Sequence, residues 1–248
     1  MLMNPDFLII AAIIFFVAGI FHGSIGTGFP MIATPLLALI TDLQTAIILT
    51  LIPTVLVNLV SIISEGNALT AVKQHVPLAL YALLGSSIGT ILLISLNSDI
   101  FKALLGIAIL IYLFIDKVQF NLSWIKQRPQ LSKLIFGTSA GFLGGLTNVM
   151  APVLIIYSLE SRHTKKQIIQ ANNLCFMFGK LIQIILFSSY GLFNQSEMTS
   201  TLIMILVTAF ALFIGIRIKK KIQPDLYKKI LKRLLLVLAI IILIQVAF

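Results

Sequence analysis

The segment Gly23-Ser-Ile-Gly-Thr-Gly-Phe-Pro-Met-Ile-Ala-Thr-Pro35 interrupts an apolar run that begins at Phe7 and continues to Ile40. In a helix interior each glycine costs roughly 1 kcal/mol and each proline about 3 kcal/mol, so an uninterrupted helix is not expected here. Within a membrane, broken backbone is tolerated only where protein or a water-filled cavity covers the freed N–H and C=O groups. The segment therefore predicts a break that lines a site inside the protein.

A second interruption of the same kind follows half a chain later, in Gly141-Phe-Leu-Gly-Gly-Leu-Thr-Asn-Val-Met-Ala-Pro152. Two glycine-interrupted apolar segments at matching places in two halves are typical of a secondary transporter's binding site. The alternative is that the glycines only permit close helix packing. Because each segment combines glycine, threonine and proline, we favour the functional interpretation.

The composition indicates a protein embedded in a lipid bilayer. Of its 248 residues, 59% are hydrophobic and only 10% are charged, whereas globular proteins carry about 25% charged residues. The mean hydropathy is +1.08. The net charge of +10 comes from basic residues in short connections between apolar segments, a pattern that reports membrane topology. No basic face with interleaved aromatic residues accompanies it, so nucleic-acid binding is not expected.

Eight apolar segments follow one another, and the unbroken ones are close to the ~20 residues that a transmembrane helix requires. Two pairs of motifs relate the halves of the chain. The motif Asp99-Ile-Phe-Lys-Ala-Leu-Leu corresponds to Asp225-Leu-Tyr-Lys-Lys-Ile-Leu, and Gly85-x-x-x-Gly89 corresponds to Ala211-x-x-x-Gly215. The eight apolar segments are 7–40 (broken), 45–64, 76–96, 100–116, 133–158 (broken), 167–190, 199–217 and 227–247.

These features predict an all-α polytopic membrane protein of two inverted repeats. Each repeat is a re-entrant or broken helical hairpin plus three transmembrane helices, and an odd number of crossings inverts the second repeat relative to the first. The first repeat is expected at residues 1–116, a cytoplasmic linker at 117–132 and the second repeat at 133–248.

The distribution of basic residues favours the re-entrant interpretation of both broken segments. If 133–158 enters and leaves on one side, the basic loop at 117–133 and the basic stretch Arg162 to Lys166 face the same side. The positive-inside rule makes that side cytoplasmic and both termini external. The alternative for the first segment is a simple crossing, because Phe7 to Phe21 is nearly long enough to span the membrane alone.

The chemistry of the two breaks suits a small anion. The hairpin tips are expected to meet near the bilayer midplane, where half-helices beginning at Phe29 and Val149 would direct their positive N-termini. Glycines let backbone N–H groups approach a ligand, and hydroxyl and amide side chains add donors. The predicted substrate-binding residues are Gly23, Ser24, Gly26, Thr27, Gly28, Asn58, Gly144, Gly145, Thr147, Asn148, Asn173 and Lys180.

Four of the polar residues have a competing interpretation. Polar residues such as Asn58 and Asn173, on one face of their helices, often only tie helices together. Lys180 lies far inside an apolar segment, where a charge marks a functional site by default; the alternative is that its side chain reaches toward the membrane surface. His22 precedes the first break and is either proton-linked or a hydrogen-bonded packing residue.

Several classes of function are not expected. All eight acidic residues fall near segment ends, so no carboxylate is placed to bind Na⁺ or relay protons at the midplane. The single Cys175 excludes a disulfide framework and a paired metal motif. No spaced metal-ligand cluster and no Ser/His/Asp grouping is present, so neither a cofactor nor an enzymatic activity is expected.

The glycine-rich break that ends in a proline and a Leu-Leu run (Gly23 to Leu37), echoed by Gly141 to Pro152, resembles the sulfite exporter TauE/SafE family over essentially the whole chain. The resemblance implies a plasma-membrane permease for sulfur-containing anions such as sulfite, thiosulfate or organosulfonates. The family's glycine-rich turns fall on Gly23, Gly26 and Gly28, and on Gly141, Gly144 and Gly145. Where the family usually has further glycines, this chain has residues 148–151, a bulkier and more polar turn.

The sequence thus predicts a permease that works by alternating access. Its partners are a small anionic substrate and the lipid bilayer, and a homo-oligomer remains open. The alternatives are an anion channel, a permease for another solute, a membrane-embedded enzyme or an accessory subunit.

Overall fold

The computed structural model describes residues 4–96, 98–115, 122–193, 195–219 and 224–247, and every regular element in these ranges is an α-helix. This confirms the all-α prediction. The helices are α1 (Pro5–Ile25), α2 (Phe29–Ala38), α3 (Leu43–Ser64), α4 (Ala68–Ser95), α5 (Ser98–Phe114), α6 (Trp124–Gln127), α7 (Pro129–Thr147), α8 (Ala151–Glu160), α9 (Lys165–Ser189), α10 (Gln195–Lys219) and α11 (Pro224–Ala247).

Within the described ranges, six helices are long and apolar enough to cross a membrane, and the chain is a multi-pass membrane protein. They are α1, α3, α4, α9, the part of α10 at Thr199–Lys219 and the part of α11 at Lys229–Ala247. By contrast, α2 and α8 have only 10 residues each. A helix of that length spans about 15 Å, half of the hydrocarbon core. They are the half-helices that the two broken segments predict.

Both breaks are made in the same way, by a residue in the left-handed region at the end of the longer helix. Gly26 has φ 91° and its N–H donates to the carbonyl of His22; Asn148 has φ 66° and its N–H donates to the carbonyl of Gly144. Only glycine and, less often, asparagine enter this region without a large steric cost. The second half-helix begins at Ala151, two residues later than the sequence predicts.

The long arm of each hairpin packs in parallel against a helix of the other half. Gly19 of α1 lies against Ala211 of α10, and one turn further along both helices Gly23 lies against Gly215. These small residues are those of the predicted repeat motif in α10. They let the two helices approach closely, as small residues separated by three intervening residues do in membrane proteins.

The same contact is repeated between α7 and α4. Gly89 of α4 lies against Gly145 of α7, and Gly85 lies against the backbone at Thr138. A Cβ on Gly141 would overlap the carbonyl oxygen of Ala82. The two matched motifs therefore occupy equivalent helix contacts in the two halves.

The α7–α8 hairpin begins and ends at the same end of the bundle. Phe136 near the start of α7 lies 5.7 Å, ring centroid to ring centroid, from Tyr157 near the end of α8. Just before α7, the N–H of Leu122 donates to the carboxylate of Glu160 at 3.0 Å. This end, which also carries the ion pair between Lys219 and Glu65, is called the basic end below.

Two elements differ from the prediction. α4 begins at Ala68, eight residues before the predicted start at 76, because its polar first turns continue the helix beyond the apolar stretch. The linker at 117–132 contains the short helix α6 and the start of α7, whose first residue is Pro129, a residue well suited to the first helical position. Residues 117–121 of that linker lie outside the described ranges.

Candidate functional site

A cavity of about 200 Å³ adjoins the first break and opens between the two halves of the chain. The loop of the break and α5 supply one side, and α8, α9 and α11 supply the other. Its lining residues are Ile25, Thr27, Tyr112, Ile155, Leu159, Lys165, Ile168, Ile169, Asn172, Leu231 and Lys232. Of the residues that the sequence predicts for the substrate site, Thr27 lines this cavity.

The polar groups of the cavity favour an anion. Lys165 and Lys232 supply positive charge, and the described residues that line the cavity include no carboxylate. Thr27 adds a hydroxyl. The side-chain oxygen of Asn172 is buried without a hydrogen-bond partner, and a ligand or water in the cavity can satisfy it.

The first break is held in place by a helix of the other half. The side-chain amide of Asn173 on α9 donates to the carbonyl of Gly26 at 2.7 Å, and also to the carbonyl of Ile169 at 2.7 Å. The freed carbonyl at the helix end is thereby satisfied. Gly28, with φ 107°, stands in open space, since a Cβ there would meet only Leu231 at 4.0 Å. Asn173, Gly26, Thr27 and Gly28 are thus brought together at the first break, and their role in substrate binding stays a prediction.

His22 bridges the two arms of the first hairpin. Its Nδ1 accepts the N–H of Phe29, the first residue of α2, at 3.2 Å, while Nε2 lies 2.9 Å from the hydroxyl oxygen of Ser61. Because Nδ1 accepts, the proton is on Nε2, which donates to Ser61. Both ring nitrogens are engaged in a fully buried position. This arrangement supports the packing interpretation, and the proton-linked role stays a prediction.

Four of the predicted residues lie in helix contacts and not in the cavity. Gly23 packs on the backbone of α10, and Ser24 donates to the carbonyl of Gly215 at 3.3 Å. Gly145 packs on the backbone of α4, and Gly144 is covered by the side chain of Met150. Their positions correspond to the helix-packing alternative.

The second break is closed. The side-chain amide of Asn148 donates to the hydroxyl oxygens of Thr34 at 2.6 Å and Thr50 at 3.0 Å, which belong to α2 and α3. Thr147 donates to the carbonyl of Leu143 at 2.7 Å. Residues 147–150 have no exposed surface. Thr147 and Asn148 therefore contact protein alone in this conformation.

The tips of the two hairpins lie at different depths. The first is tied to α3 at Ser61 through His22, and the second at Thr50 through Asn148. Ser61 and Thr50 are eleven residues apart on α3, which corresponds to about 16 Å along a helix. The tips therefore do not meet at one level, because α1 is long enough to carry the first break past the middle of the bundle.

Unpartnered polar groups occupy the interval between the tips. Thr54 and Asn58 lie on the same face of α3 as Thr50 and Ser61, by their three- and four-residue spacing. Both are buried, and the Thr54 hydroxyl and the Asn58 side-chain nitrogen have no hydrogen-bond partner. Buried polar groups are normally satisfied, so this interval is suited to hold water or a polar substrate.

Lys180 is fully buried on α9. Its ammonium donates to the side-chain oxygen of Gln183, whose amide donates to the carbonyl of Gly145 at 3.2 Å. The side chain therefore does not reach the membrane surface, and no carboxylate pairs with it among the described residues. A buried cation without a carboxylate is costly, which favours a functional role over a structural one.

Sequence reasoning missed Asn172, Lys165 and Lys232. From the sequence alone, the two lysines indicate only the orientation of the protein in the membrane, because the sequence does not show that they lie near the first break. Asn172 is next to the predicted Asn173 in the sequence. Two neighbouring amide side chains inside an apolar segment are a signal that could have identified Asn172.

The family model described as "Sulfite exporter TauE/SafE" matches residues 11–245, nearly the whole chain, including both breaks and every half-helix. No significant match is found among curated proteins or among solved structures.

Proposed function

Because the chain belongs to the sulfite exporter TauE/SafE family of membrane transporters, we propose that it is a permease for a small sulfur-containing oxyanion, such as sulfite, thiosulfate or an organosulfonate, in the plasma membrane. The observation that carries the proposal is the cavity at the first break, where the side chains of Lys165, Lys232 and Thr27 converge.

The size and charge of the cavity support a small anionic substrate. Its volume of about 200 Å³ is below the roughly 300–1,000 Å³ of pockets for drug-sized ligands. Two lysines raise the local concentration of anions. Hydroxyl and amide groups then supply hydrogen bonds, which are stronger to a charged partner than to a neutral one.

The proposed path leads from this cavity along the polar face of α3 to the second break. Thr54 and Asn58 would replace part of the hydration shell of the anion in the interval between the hairpin tips. Lys180 would offset its negative charge near the second hairpin. Each of these side chains is buried, so the anion would travel through protein and not along the lipid surface.

Alternating access is supported by the matched packing of the two halves. α1 lies on α10 as α7 lies on α4, with glycines in both contacts. The first break adjoins a cavity, whereas the second is closed by the bonds of Asn148 to Thr34 and Thr50. We propose that the two inverted repeats rock against one another and exchange which break is covered. The basic end then faces the cytoplasm, as the positive-inside rule expects.

The test is transport by purified protein in liposomes, challenged with sulfite, thiosulfate, sulfate, taurine and chloride. A saturable response to a sulfur anion is expected, measured as charge movement or as uptake of labelled anion. Thr27→Val should weaken the apparent affinity for the anion about tenfold, which corresponds to about 1.4 kcal/mol. Thr41→Val is the matched control, because the Thr41 hydroxyl donates to the carbonyls of Leu37 and Asp42 and does not line the cavity.

Two results would contradict the proposal. Current that grows with chloride concentration without saturating would identify an anion channel. Absence of charge movement and of labelled uptake for every sulfur anion, from protein shown to be folded by its melting curve, would refute the substrate class.

A further inference from the structure

A second cavity of about 310 Å³ lies at the basic end, where the α7–α8 hairpin meets the start of α4. Among the residues that the structure describes, it shares none with the lining of the cavity at the first break. Its lining residues are Gln74, His75, Leu78, Ile125, Lys126, Pro129, Ser132, Lys133, Tyr157, Ser161 and His163.

Two histidines that line this cavity each have an unpartnered, buried ring nitrogen. His75 on α4 is only 3% exposed, and its Nε2 has no hydrogen-bond partner. His163, in the turn after α8, likewise has an unpartnered Nδ1. The two rings are 5.4 Å apart between centroids. Unsatisfied buried nitrogens are rare in folded proteins, so a pair of them at one cavity points to a ligand.

The charges around the cavity select an anion over a cation. Lys126 and Lys133 line it, and the part of its lining that the structure describes contains no carboxylate. Burial and the nearby Lys133 ammonium lower the pKa of His163 below its ordinary value, as a positively charged environment requires. Among the described residues there is no group of three potential metal ligands, and two lysines beside two imidazoles would repel a metal ion.

We propose that this cavity is a second anion-binding site, in which His75, His163 and Lys133 hold a tetrahedral oxyanion of the phosphate or sulfate type. Such an anion would connect α4, the start of α7 and the end of the α7–α8 hairpin. Its binding would fix the base of the hairpin and thereby regulate its movement. The inference does not depend on the transport proposal, because it concerns binding at a cavity away from the first break.

The chain carries its own reporter for this site. Trp124, its single tryptophan, lies on α6 next to the cavity residues Ile125 and Lys126, and its ring is stacked 6.0 Å from that of Phe136. Purified full-length protein is titrated with sodium sulfate and sodium phosphate at constant ionic strength, with chloride as the reference anion. A saturable change in tryptophan fluorescence is expected for the oxyanions and not for chloride.

Matched lysine variants locate the site. Lys133→Gln should weaken sulfate binding about tenfold, since a hydrogen bond to a charged group is lost. Lys73→Gln removes the same charge from an exposed position on α4 that does not line the cavity, and should leave the affinity unchanged. Lys165→Gln, in the cavity at the first break, should also leave it unchanged. Melting curves establish that each variant is folded.

The pH dependence gives an independent readout. The titratable groups facing the cavity are the two histidines, Lys126, Lys133 and Tyr157; Glu160 and Arg162 line a neighbouring cavity together with Lys126. A bound dianion favours protonated imidazole, so sulfate should bind more tightly at about pH 6 than at about pH 8. His163→Gln should reduce this difference. Sulfate is the probe because its own charge is constant over that range.

The outcomes of the titration identify which kind of anion binds, and they show whether the site exists at all. If sulfite or thiosulfate saturates the signal at a lower concentration than phosphate does, the ligand is the transported type of anion. If phosphate saturates it at the lower concentration, the ligand is a phosphate-type regulator. No saturable change with any oxyanion would overturn the proposal. Equal losses in Lys73→Gln and Lys133→Gln, or loss of the signal in Lys165→Gln, would overturn it as well.

Discussion

The side-chain amide of Asn148 donates a hydrogen bond of 2.6 Å to the hydroxyl of Thr34, and so joins the second break to the half-helix that follows the first. The first break is joined in turn to the second half, because Asn173 donates to the carbonyl of Gly26. Each break is therefore secured by the half of the chain to which it does not belong. Any movement that opens one break must exchange these bonds for others.

Two substitutions at Asn148 separate its backbone from its side chain. Asn148→Gly keeps the left-handed conformation and loses the bonds to Thr34 and Thr50, and should cost about 1–3 kcal/mol of stability. Asn148→Ala loses the same bonds and places alanine, which tolerates the left-handed region less well than asparagine or glycine, at this position, which adds about 1–2 kcal/mol relative to glycine. The alanine variant should therefore melt at the lower temperature in detergent. Identical melting temperatures would contradict the role of the positive φ.

The close contact between α7 and α4 should not tolerate a methyl group. In Gly141→Ala the new Cβ would overlap the Ala82 carbonyl oxygen, which belongs to the backbone and cannot rotate away. A loss of at least about 3 kcal/mol is expected, seen as a lower melting temperature or loss of the folded protein. The control is Gly191→Asn, at φ 68° with nothing within 4 Å. Wild-type stability of Gly141→Ala would show that the helices are less tightly packed.

Removal of the buried charge at Lys180 should weaken anion binding. Lys180→Met keeps the length of the side chain and leaves Gln183 in place, so the anion loses an attractive charge with little change in packing. We expect an affinity reduced about tenfold, equivalent to 1.4 kcal/mol, measured from the concentration dependence of transport. Lys73→Met, at an exposed site, is the control. Unchanged affinity in Lys180→Met would remove Lys180 from the substrate path.

Cysteine labelling tests the fold-back of the second hairpin. Gln127 and Lys165 are exposed residues that precede α7 and open α9, at the basic end, whereas Tyr190 follows the 25 residues of α9 and is 53% exposed. In a Cys175→Ala background, single cysteines at 127 and 165 should react with a membrane-impermeant reagent from one side, and one at 190 from the other. Opposite accessibility of 127 and 165 would show that residues 129–160 cross the membrane.

The sequence was sufficient to predict the helices and both breaks, since glycines and prolines crowded into one short apolar segment, as at Gly26, Gly28 and Pro30, disfavour an uninterrupted helix. It also related Gly85 and Gly89 to Ala211 and Gly215, which occupy equivalent contacts. It did not distinguish Thr27, which faces the cavity, from Gly23, which faces α10. That distinction depends on neighbours far away in the chain, and a local pattern of small residues is the same for both roles.

The pairing of α1 with α10 has a consequence for how the protein is made. Ser24 and its acceptor Gly215 are 191 residues apart. At a synthesis rate of about 5–20 residues per second, roughly 10–40 s pass before the first helix can meet its partner. During that interval its glycine face must lie against lipid or the insertion machinery. α1 therefore reaches its final contacts only after α10 has been made, although α1 precedes α10 by most of the described chain.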